Sequence, residues 1–258
     1  MNLKALHIEA NFEIEIGIME EDFEIKPDIT NKLAIALDVD DLVVAVRLAR
    51  DLQPYFGVAK VGLELFSAAG PDIIGTLKSM GYKVFLDLKL HDIPNTVGKA
   101  ARVLGSLGID YLTLHTAGGI GMLKAGVEGL TEGANNADLE TPKALGVTIL
   151  TSQKETPNAL MNERFLLAES SGCRGIVCAA KNLQDANNVI PDLDFVVPGI
   201  RPQGVDNHDQ ANVATPLDAI SNGADLLVIG RAVVQSEDPR RAAREIIMEI
   251  SQIAPKNI

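Results

Sequence analysis

The chain has 258 residues, 47% of them hydrophobic and 22% charged, and a formal net charge of −12. That composition can bury a large core, and the length suits one (β/α)8 barrel in a single domain. The acidic balance argues against a nucleic-acid partner or an anionic membrane, both of which need clustered Lys and Arg. With no apolar run of the ~18 residues a membrane span requires and no basic leader, a cytoplasmic protein is expected.

Residues 1–31 stand apart as an N-terminal extension. Phe12-Glu-Ile-Glu-Ile-Gly-Ile alternates like a surface strand and is followed by the acidic Glu20-Glu21-Asp22, with no chemistry attached. The domain proper is expected over 32–258. From residue 33 onward eight short apolar runs recur, at 33–37, 57–61, 83–88, 111–114, 144–150, 175–178, 195–197 and 226–229. They are rich in Val, Ile and Leu without clean polar alternation, as strands buried on both faces are. Helix-like stretches at 41–52, 96–107, 159–170, 216–222 and 239–253 lie between them, several opened by Asp, Thr or Pro. β then α, eight times, predicts an α/β fold of the (β/α)8 TIM-barrel type rather than an open doubly wound sheet.

In such a barrel, active sites form where the strands end. The first run ends Leu37-Asp38-Val39-Asp40, which brings Asp38 to that rim and leaves Asp40 to cap the next helix. The second ends with Lys60 before Val61-Gly62. In the third, period-two alternation puts Asp87 and Lys89 on one face, and Pro94 ends the run so that Asp92 falls in the following loop. An ion-pair layer is the alternative reading of these residues, but burying three charges for stability alone is unfavourable. Phosphate sites in these barrels follow strands seven and eight. There the chain offers Pro198-Gly199-Ile200-Arg201-Pro202-Gln203-Gly204 and Ile229-Gly230-Arg231-Ala232, each joining glycine-exposed N–H groups to an arginine fork.

Cys173 and Cys178, with four residues between them in Cys173-Arg-Gly-Ile-Val-Cys178, fit neither a CxxC redox pair nor a usual zinc knuckle, and read as buried reduced thiols. His7, His91, His115 and His208 show no helical i, i+4 pair, so no metal site is expected from spacing.

The stretch Asp87-Leu-Lys-Leu-His-Asp-Ile-Pro-Asn-Thr96 resembles the signature of the orotidine 5'-phosphate decarboxylases. Around it, in that family's order, stand Ala36-Leu37-Asp38, Lys60-Val61-Gly62, His115-Thr116-Ala117-Gly118-Gly119, Val147-Thr148-Ile149-Leu150-Thr151-Ser152, Pro198-Gly-Ile-Arg-Pro-Gln-Gly204 and Ile229-Gly-Arg231, most like the bacterial-type branch. The resemblance covers about residue 33 to the C-terminus. It implies a metal- and cofactor-free conversion of orotidine 5'-phosphate to UMP, the last step of de novo pyrimidine nucleotide biosynthesis. It also implies a catalytic network of Lys60, Asp87, Lys89 and Asp92 in a homodimer, with Asp92 and Thr96 reaching the neighbouring subunit's site. Asp38 would hold a ribose hydroxyl, Thr151 and Ser152 the pyrimidine, and Gln210, Arg231, Arg201 and Gly230 the phosphate, with Gln203 a lesser candidate. One departure is Asp209-Gln210-Ala211-Asn212, where this branch usually has a basic residue after Asp-Gln. The segment 199–212, rich in Gly, Pro and polar residues, is the candidate lid.

Keto-gulonate-phosphate decarboxylases and hexulose-phosphate synthases share Asp-X-Lys-X-X-Asp, but bind Mg2+ through an acid where this chain has Lys60, and a lysine repels a divalent cation. A catalytically dead nucleotide-binding barrel is the other alternative, disfavoured because all four charged positions are intact.

Overall fold

A computed structural model of the chain describes residues 25–150, 156–202 and 214–251. Its eight parallel strands are β1 (Leu33–Ala36), β2 (Val58–Gly62), β3 (Lys83–Leu90), β4 (Tyr111–His115), β5 (Lys143–Val147), β6 (Gly175–Val177), β7 (Asp194–Pro198) and β8 (Leu226–Ile229). Each pairs with the next, and β8 pairs back onto β1 with Leu33 beside Leu227 and Ile35 beside Ile229, closing a barrel. This is the (β/α)8 architecture expected from the repeating pattern.

A short helix α1 (Pro27–Thr30) precedes β1. The crossovers are α2 (Leu42–Leu52) after β1, α3 (Leu63–Ala69) and α4 (Asp72–Ser79) after β2, α5 (Pro94–Gly105) after β3 and α6 (Gly119–Asn136) after β4. Then come α7 (Asn158–Ser170), α8 (Leu183–Val189) and α9 (Pro216–Ser221), and after β8 the chain runs through α10 (Arg231–Val234) and α11 (Pro239–Ser251).

The apolar strand sequences are explained by two separate cores. Ala34, Ala36, Val58, Phe85, Leu145, Val196, Leu226 and Val228 pack inside the barrel. The alternate positions, such as Leu33, Ile35, Ala59, Val61, Val84, Leu86, Leu227 and Ile229, pack outward against the helices. Both sides of each strand are therefore dry, and period two survives only as an inside/outside choice between apolar residues. Inside, the rings of Phe85 and Tyr111 meet edge to face at 5.8 Å.

Two expectations need correcting. Asp41, not Asp40, caps α2: its carboxylate accepts the Val44 N–H at 2.9 Å, because the helix begins one residue later than expected, at Leu42. The fifth strand stops at Val147 rather than 150, because its neighbour β6 ends at Val177 and offers no further ladder partner. The alternating segment at 12–18 lies outside the described residues.

One helix pair bears directly on the rim. A Cβ on Gly129 of α6 would stand 2.1 Å from the Gly98 carbonyl oxygen of α5, and one on Gly133 would stand 1.9 Å from that of Arg102. Only glycine lets the two helix backbones touch in this way, and the contact fixes the helix whose first turn carries Thr96.

Candidate active site

Three consecutive strands bring their charges together where they end. Lys60, only 8% exposed, projects from β2, and its Nζ lies 2.8 Å from Asp38 Oδ1 and 3.8 Å from Asp87 Oδ2. Gly62, two residues on, leaves room for this: a Cβ there would stand 3.0 Å from the Lys60 ammonium and 3.2 Å from the Asp38 carboxylate, and the pair would have to give way by a few tenths of an ångström. Lys89 Nζ lies 2.6 Å from the same Asp87 Oδ2, so one half-buried carboxylate serves two ammonium groups. Such a pair is worth far more in a narrow cleft than on an open surface, since less water screens it.

Asp87 and Lys89 meet, but not by the simple alternation expected of a regular strand. The β3/β4 ladder pairs Leu86 with Leu112 and next Leu90 with Leu114, so Asp87, Leu88 and Lys89 stand opposite Thr113 alone. Within this bulge Lys89 takes a left-handed φ of 49°, rare for a residue with a side chain. Thr113, fully buried, fills the gap: its Oγ1 accepts the Lys89 N–H at 2.8 Å and donates to Asp87 Oδ1 at 3.0 Å. Sequence reasoning passed over Thr113. The available signal was its place two residues after Tyr111, on the same inward face.

Across the mouth, β7 leads into Gly199, whose φ of 80° suits a residue without a side chain, and then to Arg201. Arg201 is buried, and its guanidinium donates to the Ile200 carbonyl at 2.9 Å. Burial and then the nearby Arg231 guanidinium push its pKa down. Gly230 ends β8, with Arg231 directly after it. Asp38, Lys60, Asp87, Lys89, Arg201 and Arg231 all line one cleft of about 440 Å3, whose wall on the β5 and β6 side is apolar, from Val147, Ile149, Leu150 and Val177.

Asp92 is not brought to Lys89 within the chain. It is exposed, and its carboxylate accepts the neighbouring Ile93 N–H at 2.6 Å. The whole run 91–96, Thr96 included, is exposed at the rim. Beside it the His91 and His115 rings stack at 5.3 Å, and His115 Nδ1 accepts the Ala117 N–H. Burial, then the His91, Arg164 and Lys89 charges, holds the His115 pKa below its usual value, so the ring stays a neutral acceptor. Thr151, Ser152, Gln203, Gln210 and the rest of 203–212 lie outside the described residues.

Cys173 and Cys178 are buried and unbridged, and burial pushes the Cys178 thiol up to about 12. Among the described residues no group of three His, Cys, Asp or Glu side chains could hold a metal, and no helix is long and apolar enough to cross a membrane.

The arrangement can hold an anion at the β7/β8 end of the cleft and set an ammonium against a developing negative charge at the β3 end. Comparison with known proteins bears on what that anion is. The model of the orotidine 5'-phosphate decarboxylase / HUMPS family matches residues 31–246. The orotidine 5'-phosphate decarboxylase of Moorella thermoacetica is 40% identical over 236 residues, covering 86% of this chain and 93% of its own length. That of Lactiplantibacillus plantarum is 43% identical over 204 residues, covering 74% of this chain and 86% of its own. Among solved structures, the orotidine 5'-phosphate decarboxylase of Lactobacillus acidophilus superposes with a TM-score of 0.73 at 35% identity, covering 85% of this chain and 99% of that one.

Proposed function

The chain belongs to the orotidine 5'-phosphate decarboxylase / HUMPS family, and from that premise we propose that it decarboxylates orotidine 5'-phosphate to UMP without metal or cofactor. The observation that carries the reading is the Asp87 carboxylate set between the Lys60 and Lys89 ammonium groups in the cleft that also holds Arg201 and Arg231. We assign the decarboxylase domain to 32–258 and treat 1–31 as an extension outside it.

When CO2 leaves, the C6–carboxylate bond breaks and its electron pair stays on C6, in the ring plane and away from the π system. Such a carbanion needs a fixed positive charge beside it. Lys89 supplies that charge and then donates its proton to C6, while Asp87 keeps the ammonium aimed. Lys60 bridges Asp87 to Asp38, and Asp38 takes a ribose hydroxyl. The phosphate is assigned to Arg201, Gly230, Arg231 and Gln210, and the pyrimidine to Thr151 and Ser152.

Asp92 and Thr96 are assigned across a homodimer interface, to the partner's site. Support comes from the exposure of 91–96, with Ile93 at 64%, on a rim that the described residues leave uncovered. The two unbridged thiols accord with a reducing cytoplasm.

Magnesium-dependent chemistry on a sugar phosphate is the second reading, and Lys60 weighs against it. Its ammonium, 2.8 Å from Asp38 and 3.8 Å from Asp87, puts positive charge between the carboxylates a divalent cation would need. The test is to mix the purified protein with orotidine 5'-phosphate, no metal added, and follow the loss of substrate ultraviolet absorbance with and without chelator. Chelator-resistant turnover is expected; no turnover, or turnover abolished by chelator, sinks the proposal.

A further inference from the structure

We infer that Thr113 is a positioning residue that locks Asp87 and Lys89 into a single unit, an inference that rests on the decarboxylase reading for its kinetic consequence. A threonine hydroxyl has one proton to give and lone pairs to receive with. Here both neighbours dictate how it turns. The Lys89 backbone N–H can only donate, so Oγ1 must accept from it at 2.8 Å. The Asp87 carboxylate can only accept, so the hydroxyl proton must point to Oδ1 at 3.0 Å. One oxygen, at 0% exposure and out of reach of water, thus ties the backbone of the proposed proton donor to the side chain that aims it.

The tie matters because of where it sits. In an unbroken ladder the Lys89 N–H would find a carbonyl of β4, but the register slips here and three residues of β3 face Thr113 alone. The side-chain oxygen stands in for that carbonyl and holds Lys89 in its left-handed conformation. With Oδ1 of Asp87 occupied by Thr113, Oδ2 is the oxygen left to face Lys89 Nζ at 2.6 Å and Lys60 Nζ at 3.8 Å. Without the hydroxyl the carboxylate can swivel and the bulge can relax, moving the amine away from C6. The proposed phosphate contacts, Arg201 and Arg231, follow other strands across the cleft.

The variants Thr113→Val, which keeps shape and removes the hydroxyl, and Thr113→Ser, which keeps the hydroxyl, separate this role from packing. Thr113→Val is expected to lower kcat by roughly a hundredfold, the scale of an ångström-level misplacement, with KM for orotidine 5'-phosphate within about threefold of wild type. Thr113→Ser is expected to stay within about threefold in both. Equal losses for Ser and Val, a Val variant with unchanged kcat, or a loss confined to KM would each overturn the inference. Should Thr113→Val fail to fold by circular dichroism, Thr113→Ala takes its place, and a folded Thr113→Ser with a tenfold loss of kcat is by itself enough to overturn it. If the wild-type protein does not turn over at all, the decarboxylase reading fails instead. The tie is then read by hydrogen exchange at the Lys89 amide, expected to quicken in Val and not in Ser; equal exchange in the two overturns it.

Discussion

The two ends of the barrel use the same residue types for opposite purposes. Where the strands begin, each carboxylate is committed to its own fold. Asp110 accepts the Val84 N–H of the adjacent strand at 2.7 Å and pairs with Lys78 at 2.9 Å; Asp225 accepts the Phe195 N–H at 2.7 Å; Lys143 pairs with Asp194. Asp110 and Asp225 thereby staple neighbouring strands. Where the strands end, Lys60, Lys89, Arg201 and Arg231 gather around one cleft with Asp38 and Asp87. Charge alone is therefore no guide to function in this fold; what separates the ends is whether the charged groups bond to adjacent strands or face a cleft.

The largest effect that would break this contrast is expected at the strand ends. Lys89→Ala should cut turnover by roughly 10^4-fold or more, the combined scale of proton donation and charge stabilisation, while UMP affinity by calorimetry and the melting temperature change little. If the variant instead unfolds, the upper charges are as structural as the lower ones. At the opposite end, Asp110→Ala should leave kcat unchanged and destabilise the fold by about 1–3 kcal/mol in a denaturant titration, because the Val84 N–H loses its acceptor. An altered kcat with intact stability would undo the assignment.

The smallest effect is signed by pH. Burial of the Asp225 carboxylate is the largest influence on it and raises its pKa above the usual value. The native state then holds that proton more tightly than the unfolded chain. Its stabilising contribution is present below the ordinary carboxylate pKa of about 3.9 and is lost as pH rises through the native value. Asp225→Asn keeps an oxygen for the Phe195 N–H and removes the charge. It should gain slightly in stability at pH about 7 and show no gain at pH about 4. A gain of equal size at both would show that the carboxylate's burial is not the cause.

Much of the cleft's lining was legible in the sequence because barrel strands alternate between inside and outside and end at a common rim. Asp38, Lys60 and Asp87 needed only that rule, and Arg201 and Arg231 needed only the habit of phosphate sites to follow the last two strands. Thr113 was not legible as functional, since threonine is an ordinary strand residue and its role depends on a register slip between β3 and β4. The slip itself was hidden, because the left-handed turn at Lys89 is held by a tertiary hydrogen bond rather than by glycine or asparagine. Helix α6 is obscured for the reverse reason. Glycines at 119, 121, 126, 129 and 133 weaken its local signal, although Gly129 and Gly133 are what the contact with α5 requires.

The backbone of Lys89 has a consequence for how such a protein changes over time. A residue with a side chain at a φ of 49° sits where glycine would be at ease, so the fold by itself disfavours the lysine that the proposed chemistry demands. Libraries sorted only for heat resistance should drift away from lysine at this position, and those sorted for growth without pyrimidine should hold it fixed. Position 89 is thus a place where thermal tolerance and nucleotide supply pull the same codon in opposite directions.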